Sequence, residues 1–298
     1  MTDAPLTAAQ PRRTLSGRVA RFFDRHPRLR LWSFLSGPVA WLVIAYLGSL
    51  CLMFVTALHP IDEFTSQPIT SRWTFANLRD LVDPSGTYPA KILRTIGVAA
   101  AVTVIDIVLA VPLAFFFVKV IRPRWRRLAV ISVLLPLWAS YLVKVYAWRV
   151  LLNPEGGVLR SSLHASPGFG LPAMVLVLAY LWLPYMILPV MSGLERLPDS
   201  LLEASADLGG KARRTLQLVV LPMLVPAIAA GSIFTFSLSL GDYISVKLVG
   251  GTTDVIGSVV ERQLSTNLPF AAAMAVGSVV VMGCYLTGVR RLGAFDNL

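Results

Sequence analysis

"LPDSLLEASADLGGKARRTLQLVVLP", Leu197–Pro222, is a polar island in an apolar chain. Ser200 and Glu203 have the S-x-x-E spacing of a capping box, in which hydroxyl and carboxylate each satisfy a free amide of a first helical turn. Gly209 and Gly210 supply the left-handed residue at which helices stop. The spacing predicts a helix of about eight residues, roughly 12 Å long, within 200–209. Alone in water so short a helix is marginal, so something must hold it. Leu201, Ala204, Ser205 and Leu208 fall near the i, i+3, i+4, i+7 pattern, and the small Ala204 and Ser205 let a partner backbone approach. Glu203 and Asp207, four apart, share a face and repel mildly, a cost that suits a basic partner opposite. Beyond the glycines a second helix begins and runs into an apolar segment containing Pro222 and Pro226.

The surroundings of this island are those of a chain dissolved in lipid. Of 298 residues, 55% are hydrophobic and only 14% charged, against about a quarter charged in soluble domains. Mean hydropathy is +0.68. The net charge of +11 does not indicate nucleic acid, because the basic residues flank apolar runs instead of gathering on a soluble domain. Six segments are long enough to span: 38–58, 93–118, 128–148, 172–191, 219–240 and 268–288. About 20 residues at 1.5 Å each cross roughly 30 Å of hydrocarbon, and helices are the open-chain solution there. The expected class is therefore all-α, a polytopic membrane protein with six transmembrane helices. The Arg-rich segment before the first span, with an apolar run too long for a cleaved leader, reads as an uncleaved signal-anchor.

Placing both termini in the cytoplasm puts eighteen Lys and Arg residues on the inside and seven in the outside loops, the expected bias. Residues 1–37 become a cytoplasmic basic segment, 38–291 the transmembrane domain and 292–298 a cytoplasmic tail. The polar island then faces the cytoplasm between spans four and five. The longest outside loop, 59–91, contains "FANLRDLV", a candidate short interfacial helix. Cys51 and Cys284 lie in apolar runs and read as buried small hydrophobes. The three histidines have no metal-ligand spacing. Neither a metal nor a cofactor is expected. The P-loop pattern is missing, since "GGKA" at Gly209–Ala212 lacks its first glycine and ends in alanine.

The island resembles the cytoplasmic signature of ABC importer permeases: E-A-A, then Gly, then I-x-L-P. Here it is carried by Glu203, Ala204, Ser205, Gly209, Val219 and Leu221–Pro222, with Ser205 and Val219 as departures. The resemblance extends over Leu135–Leu159, Tyr180–Gly209 and Leu240–Gly251, which look like the first permease of spermidine/putrescine-type importers. It implies the type I importer permease fold in a bacterial inner membrane. It also implies a coupling helix (Glu203, Ala204, Ser205, Asp207, Leu208, Gly209) docking on a cytoplasmic ATPase dimer, a second homologous permease, and an extracytoplasmic solute-binding protein. The chain would be no enzyme itself, ATP hydrolysis belonging to the partner. Polyamines are the implied cargo. Amino-acid conjugates, phosphonates and iron are alternatives within the same architecture, and a stand-alone secondary transporter is a remote one.

For the pathway, ionisable groups at membrane depth are the first candidates. Asp106, mid-span, either faces the path or hydrogen-bonds a neighbouring helix. Asp242, beside Tyr243 near the outer end of span five, suits an ammonium group by charge and cation–π attraction, or simple anchoring of the tyrosine. Trp138, Tyr141 and Tyr185 are placed deep enough to line a polar path or to pack the core. Trp148 reads as interfacial belt. Lys144 either snorkels outward or would favour an anion.

Overall fold

The computed structural model describes residues 27–62, 64–158 and 168–291, with side chains from Leu35 onward. The basic N-terminal segment up to residue 26, the loop holding Arg160 and His164, and the 292–298 tail lie outside the described residues. Two compact units divide the chain, one ending at Val55 and one beginning at Thr56. The first contains α1 (Pro27–Leu42), a π-helical turn at Val43–Leu47, and α2, which starts at Gly48 and runs on to Ala57. Together Leu35–Ala57 make a span of 23 residues.

The second unit is helical throughout its described residues apart from one isolated bridge, Ile61 to Pro68, and the connecting loops. Its elements are α3 (Ala76–Val82), α4 (Tyr88–Phe115) with a π-helical end at Phe116–Val120, α5 (Pro123–Trp138), α6 (Tyr141–Leu152) and α7 (Leu171–Glu195). There follow α8 (Asp199–Asp207), α9 (Ala212–Thr215), a π-helical turn at Leu216–Val220, α10 (Leu221–Gly241), α11 (Ile244–Val249), α12 (Ile256–Gln263) and α13 (Leu268–Arg291). "FANLRDLV" is helical, as α3, and docks on α13 with Leu81 against Gly277.

Five of the six expected spans are continuous, each allowing for short π-helical turns. The third is not. Its two halves, α5 and α6, meet at an angle of 89° across Ala139–Ser140. Both residues are extended, with ψ near 141° and 133°, so the helical ladder is interrupted. A window of hydropathy averages over such a break and cannot register it. Cys51 and Cys284 are free and exposed, not buried, because they sit on apolar helix faces turned away from the packed interior.

The core is built where α7 lies along α4 and α10. Lipid tails are as apolar as leucine, so these helices associate through close packing. Ala110, Val111 and Ala114 of α4 meet Met186, Ile187, Val190, Met191 and Leu194 of α7, with Leu224 of α10. Two glycines set the α7–α10 spacing. A Cβ on Gly193 would lie 2.7 Å from the Ala227 Cβ, and one on Gly231 would lie 2.6 Å from the Met186 Sδ and 3.1 Å from its Cα. Each helix contributes one glycine to the other's bulge. Gly231→Val should therefore force the pair apart and cost about 1–3 kcal/mol, read as a lowered thermal midpoint in detergent. An unchanged midpoint would mean that the two helices do not approach this closely.

Candidate functional site

The polar island forms α8 two residues earlier than its capping box predicts. Pro198, extended at φ −64° and ψ 135°, is the N-cap, and no side chain caps the helix. The Ser200–Glu203 box is thus not made. The base of the helix is instead anchored by a distant lysine: Lys119 Nζ, at the end of α4, donates to the Leu197 carbonyl (2.8 Å) and to Asp199 Oδ1 (2.6 Å). Asp199 in the first turn also suits the helix dipole.

The far end closes as the glycines predict. Gly209 has φ +73°. The Gly210 amide donates to the Ser205 carbonyl (2.8 Å) and the Gly209 amide to the Ala206 carbonyl (2.9 Å), the two bonds of a Schellman stop. Ser205, where the signature has alanine, bonds through Oγ to Thr215 Oγ1 at 2.8 Å, fastening α8 to the next helix. Leu202 packs against the α4–α7–α10 core. Leu201, Glu203, Ala204, Asp207 and Leu208 are exposed, Leu208 at 89%. The helix therefore presents a small apolar and acidic face away from the bundle, and neither Glu203 nor Asp207 has an ion-pair partner among the described residues.

At the opposite end of the bundle, two broken helices meet. Tyr141 begins α6 just after the first break, and Asp242 follows the last residue of α10. The Tyr141 hydroxyl lies 2.7 and 2.6 Å from the two Asp242 carboxylate oxygens and 2.8 Å from Ser245 Oγ. The Ser245 amide donates to Asp242 Oδ1 at 2.9 Å, so the carboxylate holds the first turn of α11. Asp242 is 8% exposed. A row of rings leads inward from it: Tyr141 stacks on Trp182 at 6.0 Å, Trp182 meets Tyr185 edge-on at 5.9 Å, and Tyr185 lies 6.5 Å from Phe234. A cavity of about 300 Å³ opens beside Tyr141, Trp182, Ser237, Asp242 and the exposed ring of Tyr243.

Tyr141, Tyr185, Asp242 and Tyr243 are thus brought to one region. Trp138 is not: it ends α5 before the break and is 90% exposed. Trp148 is no free belt residue, since it packs edge-on to Tyr180 at 5.4 Å. Asp106 is fully buried, with neither oxygen hydrogen-bonded among the described residues. Lys144 is half-buried in α6. Sequence reasoning missed Ser245 and the ordering role of Asp242, although D-x-x-S directly after a glycine is a helix-start signal.

Beyond α11, α12 is held by ion pairs. Asp254 accepts from Arg262 at 2.7 Å and meets Lys91 of α4 at 3.0 Å, while Lys247 pairs with Glu261 at 2.7 Å. The hydrogen bond from Arg262, assisted by Lys91 and opposed by partial burial, holds the Asp254 carboxyl down at about 2.

Known proteins share both the sequence and the architecture. Residues 84–293 match the family described as binding-protein-dependent transport system inner membrane component. "Inner membrane ABC transporter permease protein YdcU" of Escherichia coli K12 is 42% identical over 97% of both chains. "Spermidine/putrescine transport system permease protein PotB" of Haemophilus influenzae is 30% identical over 87% of this chain and 92% of its own. A chain of a bacterial alginate ABC transporter, solved in complex with an alginate-bound periplasmic protein, superposes with a TM-score of 0.71 at 15% identity, covering 92% of this chain and 96% of that one. A chain of the inward-facing MetNI methionine ABC transporter gives 0.56 at 17% identity, covering 68% and 93%. At such identities the superpositions speak for the fold alone.

The Asp254 geometry has a pH signature. A carboxyl at about 2 when folded, against an ordinary 3.8, adds stability that is present above about pH 4 and disappears as pH falls towards 2. Asp254→Asn should therefore melt below the wild type at pH 7, with the gap closing as pH drops through this window. A gap that stays constant from pH 7 to 3 would mean that the charge of Asp254 does not support α12.

Proposed function

We infer the function from one premise: the chain belongs to the family of binding-protein-dependent transport system inner membrane components. It is a multi-pass inner-membrane permease subunit of an ABC importer, and the family is one of permeases, not enzymes. Within that class, we propose that α8 is the coupling helix. The observation that carries this is its exposed face. A helix anchored at its base and stopped by its own glycines still offers Leu201, Ala204 and Leu208 with Glu203 and Asp207, and nothing within the described residues covers them. An ATPase subunit supplying a small apolar groove with basic residues at its rim would complete that surface. ATP binding by such a partner would push α8, and the push would reach the aromatic row through α4, α7 and α10. On this reading the α8 end and both termini are cytoplasmic, in accord with the basic residues clustered there. A second permease and an extracytoplasmic binding protein complete the importer. The family's own description, binding-protein-dependent, supports the second of these partners.

For the cargo we propose small amines of the putrescine and spermidine kind. Support comes from the carboxylate and ring faces around the Asp242 cavity, which suit an ammonium group, and from the spermidine/putrescine permease of Haemophilus among the relatives. Because Asp242 already accepts from Tyr141 and Ser245, its charge acts on a passing cation from behind the rings. Tyr243 and the Trp182–Tyr185 faces make the contact. Asp106, the deep acid without a hydrogen-bond partner among the described residues, is the second group we assign to cation passage. An unpaired carboxyl at that depth is costly to retain without a use. Lys144 is assigned to topology.

Uptake of labelled putrescine, spermidine, an amino-acid conjugate and a phosphonate, in cells with the gene deleted and restored, tests the cargo. Loss and rescue confined to the polyamines is expected; loss of the phosphonate alone would reject the cation path and leave the architecture intact. Glu203→Arg should leave the subunits assembled and reduce uptake by about tenfold or more, through a like-charge contact with the basic rim. Normal uptake by that variant would count against α8 as the joint.

A further inference from the structure

We propose that Lys119 is a positioning residue that makes α4 the transmission rod between the coupling helix and the opposite end of the permease. This rests on the assignment of α8 as the coupling helix and goes beyond it by naming the path of the motion.

The α4 helix and its π-helical end run unbroken from Tyr88 to Val120, 33 residues, or about 50 Å. That exceeds the roughly 30 Å of hydrocarbon, so both ends reach past the membrane core. The inner end is fastened to the base of α8 and the outer end to the start of α12. At the inner end the Lys119 side chain is only 12% exposed, and its ammonium bonds to both the Leu197 carbonyl and Asp199. Leu197 lies just before α8, and Asp199 is its first residue. The base of α8 therefore cannot shift without either dragging α4 or leaving a largely desolvated charge unpaired, which is costly. Arg126 of α5 pairs with Glu195 at the end of α7, so the neighbouring helices are gripped at the same level.

At the outer end, Thr95 Oγ1 accepts the Ile256 amide at 2.9 Å, a buried contact that fixes the first residue of α12. One turn earlier, Lys91 pairs with Asp254 at 3.0 Å. Between the two ends α4 packs along α7 and α10 through Val98, Val102, Ala110, Val111 and Ala114. The simpler role for Lys119, a basic residue that only marks the cytoplasmic side, needs no partner. Here the ammonium has two, both at one joint, contributed from about 80 residues away.

The experiment uses the whole importer in proteoliposomes, purified through a tag on this chain. Cys51 and Cys284 are replaced by serine and a reporter is introduced as Leu264→Cys, an exposed position at the end of α12. The readouts are co-purification of an ATPase, ATP hydrolysis, and the change in reporter labelling by a membrane-impermeant maleimide on adding ATP with vanadate. Lys119→Met is expected to keep the ATPase and its hydrolysis but to lose the labelling change by about tenfold, the size of a typical coupling between sites. Lys119→Arg, which keeps the charge, should retain it, and Asp199→Ala, at an exposed position, should lose part of it. A wild-type labelling change in Lys119→Met overturns the proposal and leaves the coupling helix standing. If Lys119→Met fails to fold, a wild-type change in Asp199→Ala overturns it instead. Reporter labelling in the parent importer that is indifferent to ATP and vanadate also overturns it. Absence of a co-purifying ATPase from the parent sinks the coupling-helix assignment itself, and the transmission proposal with it.

Discussion

A peptide group in hydrocarbon has no water to turn to, so every break in a membrane helix must be answered from within the protein. Two breaks in this chain answer each other. The α5–α6 break frees the start of α6, and the α10–α11 break frees the start of α11. Asp242 caps α11 through the Ser245 amide, and Tyr141, the first residue of α6, closes on the same carboxylate. A side chain beside one interruption thus saturates the carboxylate that holds the helix after the other. This knot fixes where the α7 aromatic row ends and where the cavity opens. It also explains why an acid can sit at that depth: its oxygens are saturated by neighbours that the broken helices themselves deliver.

The same constraint, met differently, governs the α8 end. There the chain leaves the membrane and must return, and α8 is a surface helix between two spans. Its last carbonyls are satisfied by the glycine stop, and its base is fastened by Lys119 through the Leu197 carbonyl and the Asp199 carboxylate. Neither fastening uses the outward face. The departure at Ser205 adds to the fastening, because its hydroxyl ties α8 to Thr215 at the root of the next span.

Spans, their order and the polar island were legible because they are local properties: apolar runs, a glycine stop and charge bias. What was not legible depended on distant residues. The capping box looked complete in Ser200 and Glu203, but the helix starts two residues earlier, after the extended Pro198, and its base is anchored by a lysine about 80 positions earlier. Trp138 read as sharing a continuous helix with Tyr141; the 89° bend separates it from the Tyr141–Asp242 region and leaves it 90% exposed. The Tyr141–Asp242 contact bridges 101 positions, and no spacing rule reaches that far. Asp106 was legible as exceptional from its depth alone, yet its lack of a hydrogen bond to a neighbouring helix could be seen only in three dimensions.

The distribution of paired and unpaired charge separates finished surfaces from unfinished ones. Around α11 and α12, Lys91, Asp254, Arg262, Lys247 and Glu261 are all matched within the chain. At the α8 end, pairing stops at the base of the joint, where Lys119 meets Asp199 and Arg126 meets Glu195. Beyond that base, Glu203 and Asp207 on the helix, and Lys211, Arg213 and Arg214 just after it, are exposed without ion pairs among the described residues. Exposed charges in water lose little by being unpaired, so their isolation alone proves nothing. Here, however, opposite signs sit within a few residues of one another on adjoining short helices and still do not close on each other. The glycine stop, with Gly209 at φ +73°, separates the helix that carries the acids from the segment that carries the bases.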